Sequence, residues 1–186
     1  MDVDGDGIHI GSGVSEELDD VLRTYQNPVF ICDSTTRAVA EPFLEEELKD
    51  CLVIELSPED LAVNDVCVER VLSQLEVCDL GQSSVPVDLL IAIGSGVIHD
   101  LTRFGAQEYG IPFASVPTNP DNENVRARQT SDPVPELIPQ WVFADAQILC
   151  PEDTSRSERL DLLSHALEAC GLARELFRDK LEDVDF

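Results

Sequence analysis

The stretch Leu89-Leu90-Ile91-Ala92-Ile93-Gly94-Ser95-Gly96, continued by Val97-Ile98-His99-Asp100-Leu101-Thr102-Arg103, decides the fold. An unbroken apolar run has no polar face, so Leu89 to Ile93 reads as a strand buried on both sides. Gly94-Ser95-Gly96 interrupts the run, and a helix follows to Tyr109. A strand that turns through glycine into a helix suits phosphate: the backbone can approach closely, and the first helical N–H groups point at the ligand. A plain tight turn has the same outline. The third glycine of the dinucleotide fingerprint is missing, and Gly105 does not restore its spacing.

Working outward, Val29 to Cys32 reads as a buried strand ending at Asp33, and Leu52 to Leu56 as another. Ser15 is placed to cap a helix carrying Leu18, Val21 and Leu22 on one stripe. Arg37 to Leu48 is helical in composition, with Pro42 expected to kink it or delay its start. Asn64 is placed to cap a helix bearing Val68, Val71, Leu72 and Leu75, and Gln82 to Pro86 is a polar connection. Downstream, Phe113 to Val116 is a strand. Residues 119–140 have no usable period and hold four of the eleven prolines, which predicts a long loop. Trp141 to Ala144 and Ile148 to Leu149 form a last strand and its exit, and Ser157 to Leu181 reads as one long helix. Strands alternating with helices predict an α/β fold, a Rossmann-like, doubly wound, mostly parallel sheet.

Composition narrows the function. The 186 residues carry 38 Asp and Glu against 12 Lys and Arg, a formal charge of −26, with Lys49 and Lys180 the only lysines. Nucleic acid and anionic membranes need a positive footprint, so neither is expected as a partner. The acidity would suit a high-salt cytoplasm, though an ordinary acidic protein has the same composition. No apolar run is long enough to span a bilayer, and no charged leader followed by an apolar stretch marks a secretory signal near Met1. Cys32, Cys51, Cys67, Cys78, Cys150 and Cys170 form no CxxC pair, as expected of reduced thiols in a cytoplasmic protein. Asp2-Val3-Asp4-Gly5-Asp6-Gly7 imitates the start of a calcium loop, but position twelve is Gly13 rather than a bidentate Glu, so an acidic leader is expected there.

The continuation of the glycine turn resembles the GSG(T/S)IND-(L/I)T(K/R) segment of the sn-glycerol-1-phosphate dehydrogenases, relatives of glycerol dehydrogenase, iron-containing alcohol dehydrogenase and dehydroquinate synthase. Gly110-Ile111-Pro112-Phe113 and Ser115-Val116-Pro117-Thr118 are similar to the family's next strand, and Asp33-Ser34-Thr35-Thr36 to its D-x-N-T. Trp141 to Leu149 resembles the strand that precedes its helical domain. The resemblance implies that Gly94, Ser95 and Gly96 cradle a pyrophosphate. It further implies that Asp33 and Thr36 face the adenosine, and that Asp100 and Thr118 line the nicotinamide end of NAD or NADP. Asp161 and His165, four apart on a helix and able to meet at one ion, match the D-A-x-x-H-A-x-E-A helix. They are thereby implied as ligands of Zn²⁺ or Fe²⁺, with no catalytic residue beyond that metal site. The glycerol-1-phosphate branch commonly has Lys at the His165 position, so the pattern is mixed between branches.

The chain departs from the family at several points. Val97 replaces a hydroxyl, His99 stands where the family has Asn, and Asn119-Pro120-Asp121-Asn122-Glu123-Asn124 replaces A-P-S-x-D-G. The hairpin that normally follows reads as shortened to Val125–Pro139, and the two later histidine ligands are not matched, which leaves the ligand set incomplete. The expected organisation is therefore a dinucleotide-binding unit over 1–150 and the start of a truncated helical metal-binding domain over 151–186. The implied activity is a metal-dependent, NAD(P)-linked dehydrogenase of a small (phospho)polyol or ketone. The alternative is a catalytically silent nucleotide-binding or interaction domain. Apolar residues on two sides of Ser157–Leu181 further predict a homo-oligomer or partner chain along that helix.

Overall fold

Central strands that are apolar on both faces demand two covering layers, and both are present. The computed structural model describes residues 7–59, 61–80, 85–120 and 129–186. Its strands are β1 (Ile8–Gly11), β2 (Pro28–Asp33), β3 (Leu52–Leu56), β4 (Leu89–Ile93), β5 (Phe113–Val116) and β6 (Trp141–Asp145). They form one sheet in the order β1-β6-β5-β4-β2-β3, and every adjacent pair is parallel. The helices are α1 (Leu18–Leu22), α2 (Ser34–Ala40), α3 (Glu45–Asp50), α4 (Asp65–Leu80), α5 (Val97–Tyr109), α6 (Ala146–Leu149), α7 (Arg156–Ala169) and α8 (Arg178–Asp183).

Side chains alternate along each strand, which separates the two cores. Val29, Ile31, Leu90, Ala92 and Phe113 pack beneath α4 and α5. Phe30, Cys32, Leu89, Ile91 and Ile93 face the opposite side, under α1, α2 and α3. A third cluster joins Ile8, Val142 and Ala144 to Leu163, Ala166, Leu167 and Phe177. Because Ser115 pairs with Val142, and Ala92 with Ser115, α7 lies on the same face as α4 and α5. The fully buried Leu163, Leu167 and Phe177 contribute about 1.5–3 kcal/mol each.

The expected α/β, doubly wound sheet is present and is wholly parallel among the described residues, with Ile8–Gly11 supplying an edge strand. Several local expectations change. Ser15 is not an N-cap. It lies inside a 3-10 turn (Val14–Glu17) and donates to Asp145 from its backbone N–H (3.0 Å) and its Oγ (2.7 Å). Asp145 also accepts from the N–H groups of Gly13 and Gln147, so this fully buried carboxylate ties the turn after β1 to the end of β6. Pro42 divides its segment into α2 and α3 rather than kinking one helix. Asn64 does cap α4, through Cys67 N–H to Oδ1 at 2.8 Å.

The single helix over Ser157–Leu181 is also overturned. Helix α7 stops at Ala169 because Gly171 adopts φ +83, with Gly171 N–H bonded to Glu168 O and Leu172 N–H to Leu167 O. This is a Schellman stop, which favours glycine at that point. Past it, a 3-10 turn (Arg174–Leu176) and α8 fold back, burying Phe177 and leaving Leu176 exposed. Lys180 Nζ there donates to Ile8 O on the outer edge of β1. Among the described residues no helix is long and apolar enough to cross a membrane. The acidic leader over 2–6, part of the 82–86 connection, and Asp121, Asn122, Glu123 and Asn124 lie outside the described residues.

Candidate functional site

Strand order reverses around β2 and β4. The chain leaves β2 to place α2 over one face, whereas it leaves β4 to place α5 over the other. Loops that diverge from neighbouring carboxyl ends open a crevice, and ligands of doubly wound sheets bind there. Gly94 and Gly96 both occupy positive-φ backbone, at +140 and +57. A Cβ on Gly94 would lie 3.0 Å from Ile98 Cβ and 3.1 Å from Thr36 Cγ2, so only hydrogen fits between the two loops. Gly96 precedes α5 with no side-chain cap, which leaves the first helical N–H groups to a ligand.

The predicted residues partly converge on this crevice. Asp33 Oδ1 accepts from Thr35 N–H (2.7 Å) and Thr36 N–H (2.9 Å), while Thr36 Oγ1 accepts from Asp33 N–H (3.0 Å). This reciprocal box caps α2 and holds Asp33 at the end of β2 beside the glycine turn. Ser95 Oγ donates to Asn119 O at 2.7 Å, which draws the segment after β5, with half-buried Thr118, toward the same turn. Asp100 is in the first turn of α5, but its buried carboxylate pairs with Arg103 at 3.5 Å. Gly105 restores no fingerprint yet has a packing role, since a Cβ there would meet Leu75 and Leu90 at 3.0 and 3.1 Å.

Asp161 and His165 lie one turn apart on the exposed side of α7, opposite buried Leu163, Ala166 and Leu167. They line an open groove with Pro151, Asp153, Thr154, Glu158 and Leu162. Carboxylate and imidazole are suitable donors for zinc or ferrous iron, so the pair fits as a share of a ligand set. It does not complete one: no group of three potential ligands occurs among the described residues. Glu158 is also engaged, accepting from Ser155 N–H and Oγ, bonds that hold its carboxyl below the usual glutamate range.

A largely buried polar chain that no sequence pattern announces runs along the inner side of α5. Arg103 and His99 Nε2 are 2.8 Å apart, His99 Nδ1 is 3.1 Å from Ser115 Oγ, and Ser115 Oγ is 3.5 Å from Cys170 Sγ. No periodic signal links these positions. The one available cue was a histidine on the core side of an otherwise apolar helix stripe.

Residues 9–151 match the family model of iron-containing alcohol dehydrogenase. Glycerol-1-phosphate dehydrogenase [NAD(P)+] of Bacillus subtilis is 30% identical over 157 residues, which is 76% of this chain and 38% of that protein. Its namesake from Bacillus velezensis is 36% identical over 118 residues, 61% of this chain and 29% of that protein. The crystal structure of an iron-containing alcohol dehydrogenase from Corynebacterium glutamicum superposes with a TM-score of 0.60 at 17% identity, covering 83% of this chain and 44% of that one. The chain thus spans between 29% and 44% of the length of these relatives.

Proposed function

The chain belongs to the iron-containing alcohol dehydrogenase family, and on that premise we propose that it binds NAD(H) or NADP(H) as the nucleotide-holding part of a metal-dependent dehydrogenase. Its substrate class is sn-glycerol 1-phosphate or a related small (phospho)polyol and the corresponding ketone. The observation that carries the reading is the uncapped start of α5 behind Gly94–Gly96, at the point where strand order reverses. With a formal charge of −26, the chain holds a pyrophosphate by local backbone donors and against its overall field.

Gly94 and Gly96 let the backbone close on the phosphates, and Ser95 holds the loop after β5 against them. Asp33 and Thr36, fixed by their reciprocal cap, would face the adenosine side of the dinucleotide. Thr118 lines the nicotinamide end. Asp161 and His165 would hold zinc or ferrous iron, which when bound polarises the substrate oxygen as hydride passes between carbon and nicotinamide. A catalytically silent nucleotide-binding unit is the second reading, favoured by the solvent-facing, two-donor character of the Asp161–His165 pair. Calorimetry with NADH and NADPH, followed by zinc-dependent reduction of dihydroxyacetone phosphate, separates them. Binding with turnover supports the dehydrogenase, binding alone supports the silent unit, and no binding of either nucleotide rejects both.

A further inference from the structure

Helices α5 and α7 cover the same face of the sheet, α5 against β4 and β5 and α7 against β6, and the polar residue of β5 on that face is Ser115. The seam between them is where the Arg103–His99–Ser115–Cys170 chain runs. His99 is 1% exposed, Ser115 0% and Cys170 1%, so the three links beyond half-buried Arg103 are shielded from water. A guanidinium can only donate, so Arg103 makes His99 Nε2 the acceptor and leaves the ring proton on Nδ1. Nδ1–H then donates to Ser115 Oγ, and Ser115 reaches the sulfur of Cys170, the C-cap residue of α7. His99 sits three residues beyond Gly96, in the first turn of α5. The far end of the chain lies beside the Schellman stop, where a Cβ on Gly171 would come within 3.3 Å of Arg103. One histidine therefore spans from the glycine turn to the end of the helix bearing Asp161 and His165.

We propose that His99 is a positioning residue: through Ser115 it latches the end of α7 to the first turn of α5, so that the nucleotide turn and α7 move as one unit. The latch itself is a property of these four side chains. Its link to nucleotide rests on the function proposed above. Within an apolar seam the polar chain adds direction, because an imidazole with one donor and one acceptor fits between Arg103 and Ser115 in one orientation. Burial pushes the Cys170 thiol up to about 11, so it is inert while the seam is closed. Its alkylation therefore reports opening.

The test follows N-ethylmaleimide labelling of Cys170 by peptide mass spectrometry, with Cys67 as reference, since Cys67 is equally buried on α4. Without nucleotide, His99→Leu is expected to speed Cys170 labelling about tenfold relative to Cys67. His99→Gln, which keeps one donor and one acceptor, should stay within about threefold of wild type. Saturating NADH should slow Cys170 labelling in wild type and not in His99→Leu. Equal acceleration of both cysteines, or a Gln variant as fast as Leu, would overturn the latch. NADH that binds by calorimetry without protecting Cys170 would overturn the coupling. If NADH does not bind, the nucleotide reading and the coupling fall together, while the nucleotide-free rates still decide the latch.

Discussion

The crevice between β2 and β4 and the exposed side of α7 are two candidate sites of opposite construction. The first is made of backbone: positive-φ glycines, helix N–H groups and a capping box that are in place once the sheet forms. The second is made of two side chains on a solvent-facing helix surface, with a neighbouring carboxylate already engaged by a cap. The backbone site draws on two neighbouring strand–turn–helix units of one sheet, β2–α2 and β4–α5. A metal site needs three or four donors brought together from separate elements. Because the two sites are built from different parts, each can be probed by variants that leave the other's residues in place.

The largest expected effect is on the backbone site. Gly94→Val would place a branched side chain against Ile98 and Thr36 at a φ of +140. Strain and overpacking together cost roughly 2–5 kcal/mol, read as a fall in denaturant midpoint, and NADH affinity should drop at least about 100-fold. Gly96→Val, at φ +57 and ψ −106, a conformation branched side chains rarely adopt, costs about 1–3 kcal/mol. Unchanged NADH and NADPH affinity in a folded Gly96→Val protein would remove the pyrophosphate from this turn.

Next in size is the side-chain site. Asp161→Ala with His165→Ala should weaken zinc binding about tenfold or more and leave NADH affinity unaltered. Zinc titration of wild type and double variant checks this. Equal zinc affinity would place the ion elsewhere, and a parallel loss of NADH affinity would mean that the two sites are not independent.

What the sequence disclosed follows the same division. Glycine after an apolar run states a backbone need at the position where it arises, so the turn and the sheet around it were legible. Asn64 as a cap was legible because its partner is three residues away. Ser15 was misread because its partner, Asp145, is 130 residues distant. The latch was invisible for the same reason: Ser115 and Cys170 are 55 residues apart, and no local pattern records their contact. Gly171 differs: glycine after a helical run is a local stop signal, but the leucines and phenylalanine beyond it continue the apolar pattern and mask the stop.

Salt should move the two sites in opposite directions. At −26 the chain repels a dinucleotide and attracts a divalent cation. Raising KCl from about 0.1 to about 1 M shortens the Debye length from about 10 to about 3 Å. NADH affinity is therefore expected to rise by about threefold, and zinc affinity to fall by a similar factor. Isothermal titrations across that range check both signs. NADH affinity that falls with salt would mean that side-chain cations, rather than backbone donors, hold the phosphates.

The smallest effect concerns the start of α7. Ser155 Oγ accepts from Glu158 N–H at 3.4 Å and donates to Glu158 Oε2 at 2.6 Å. Removing the cap in Ser155→Ala should cost about 1 kcal/mol at neutral pH, measured by urea denaturation. The sign of its pH dependence follows from Glu158, whose carboxyl Ser155 holds below the ordinary range. A depressed carboxylate adds stability above its unfolded pKa and loses it as pH falls through the folded value. The gap between wild type and variant should thus be full at pH 7 and narrow below the usual glutamate range. The same variant leaves Glu158 only the Ser155 N–H bond (3.0 Å) and so loosens it on the face that bears Asp161 and His165, one turn before Asp161. If the cap is what keeps Glu158 from that ion, zinc should bind Ser155→Ala more tightly than wild type even as the helix start weakens. Zinc affinity that falls with the cap would instead show that the order of this helix turn, rather than the number of free carboxylates, limits the site.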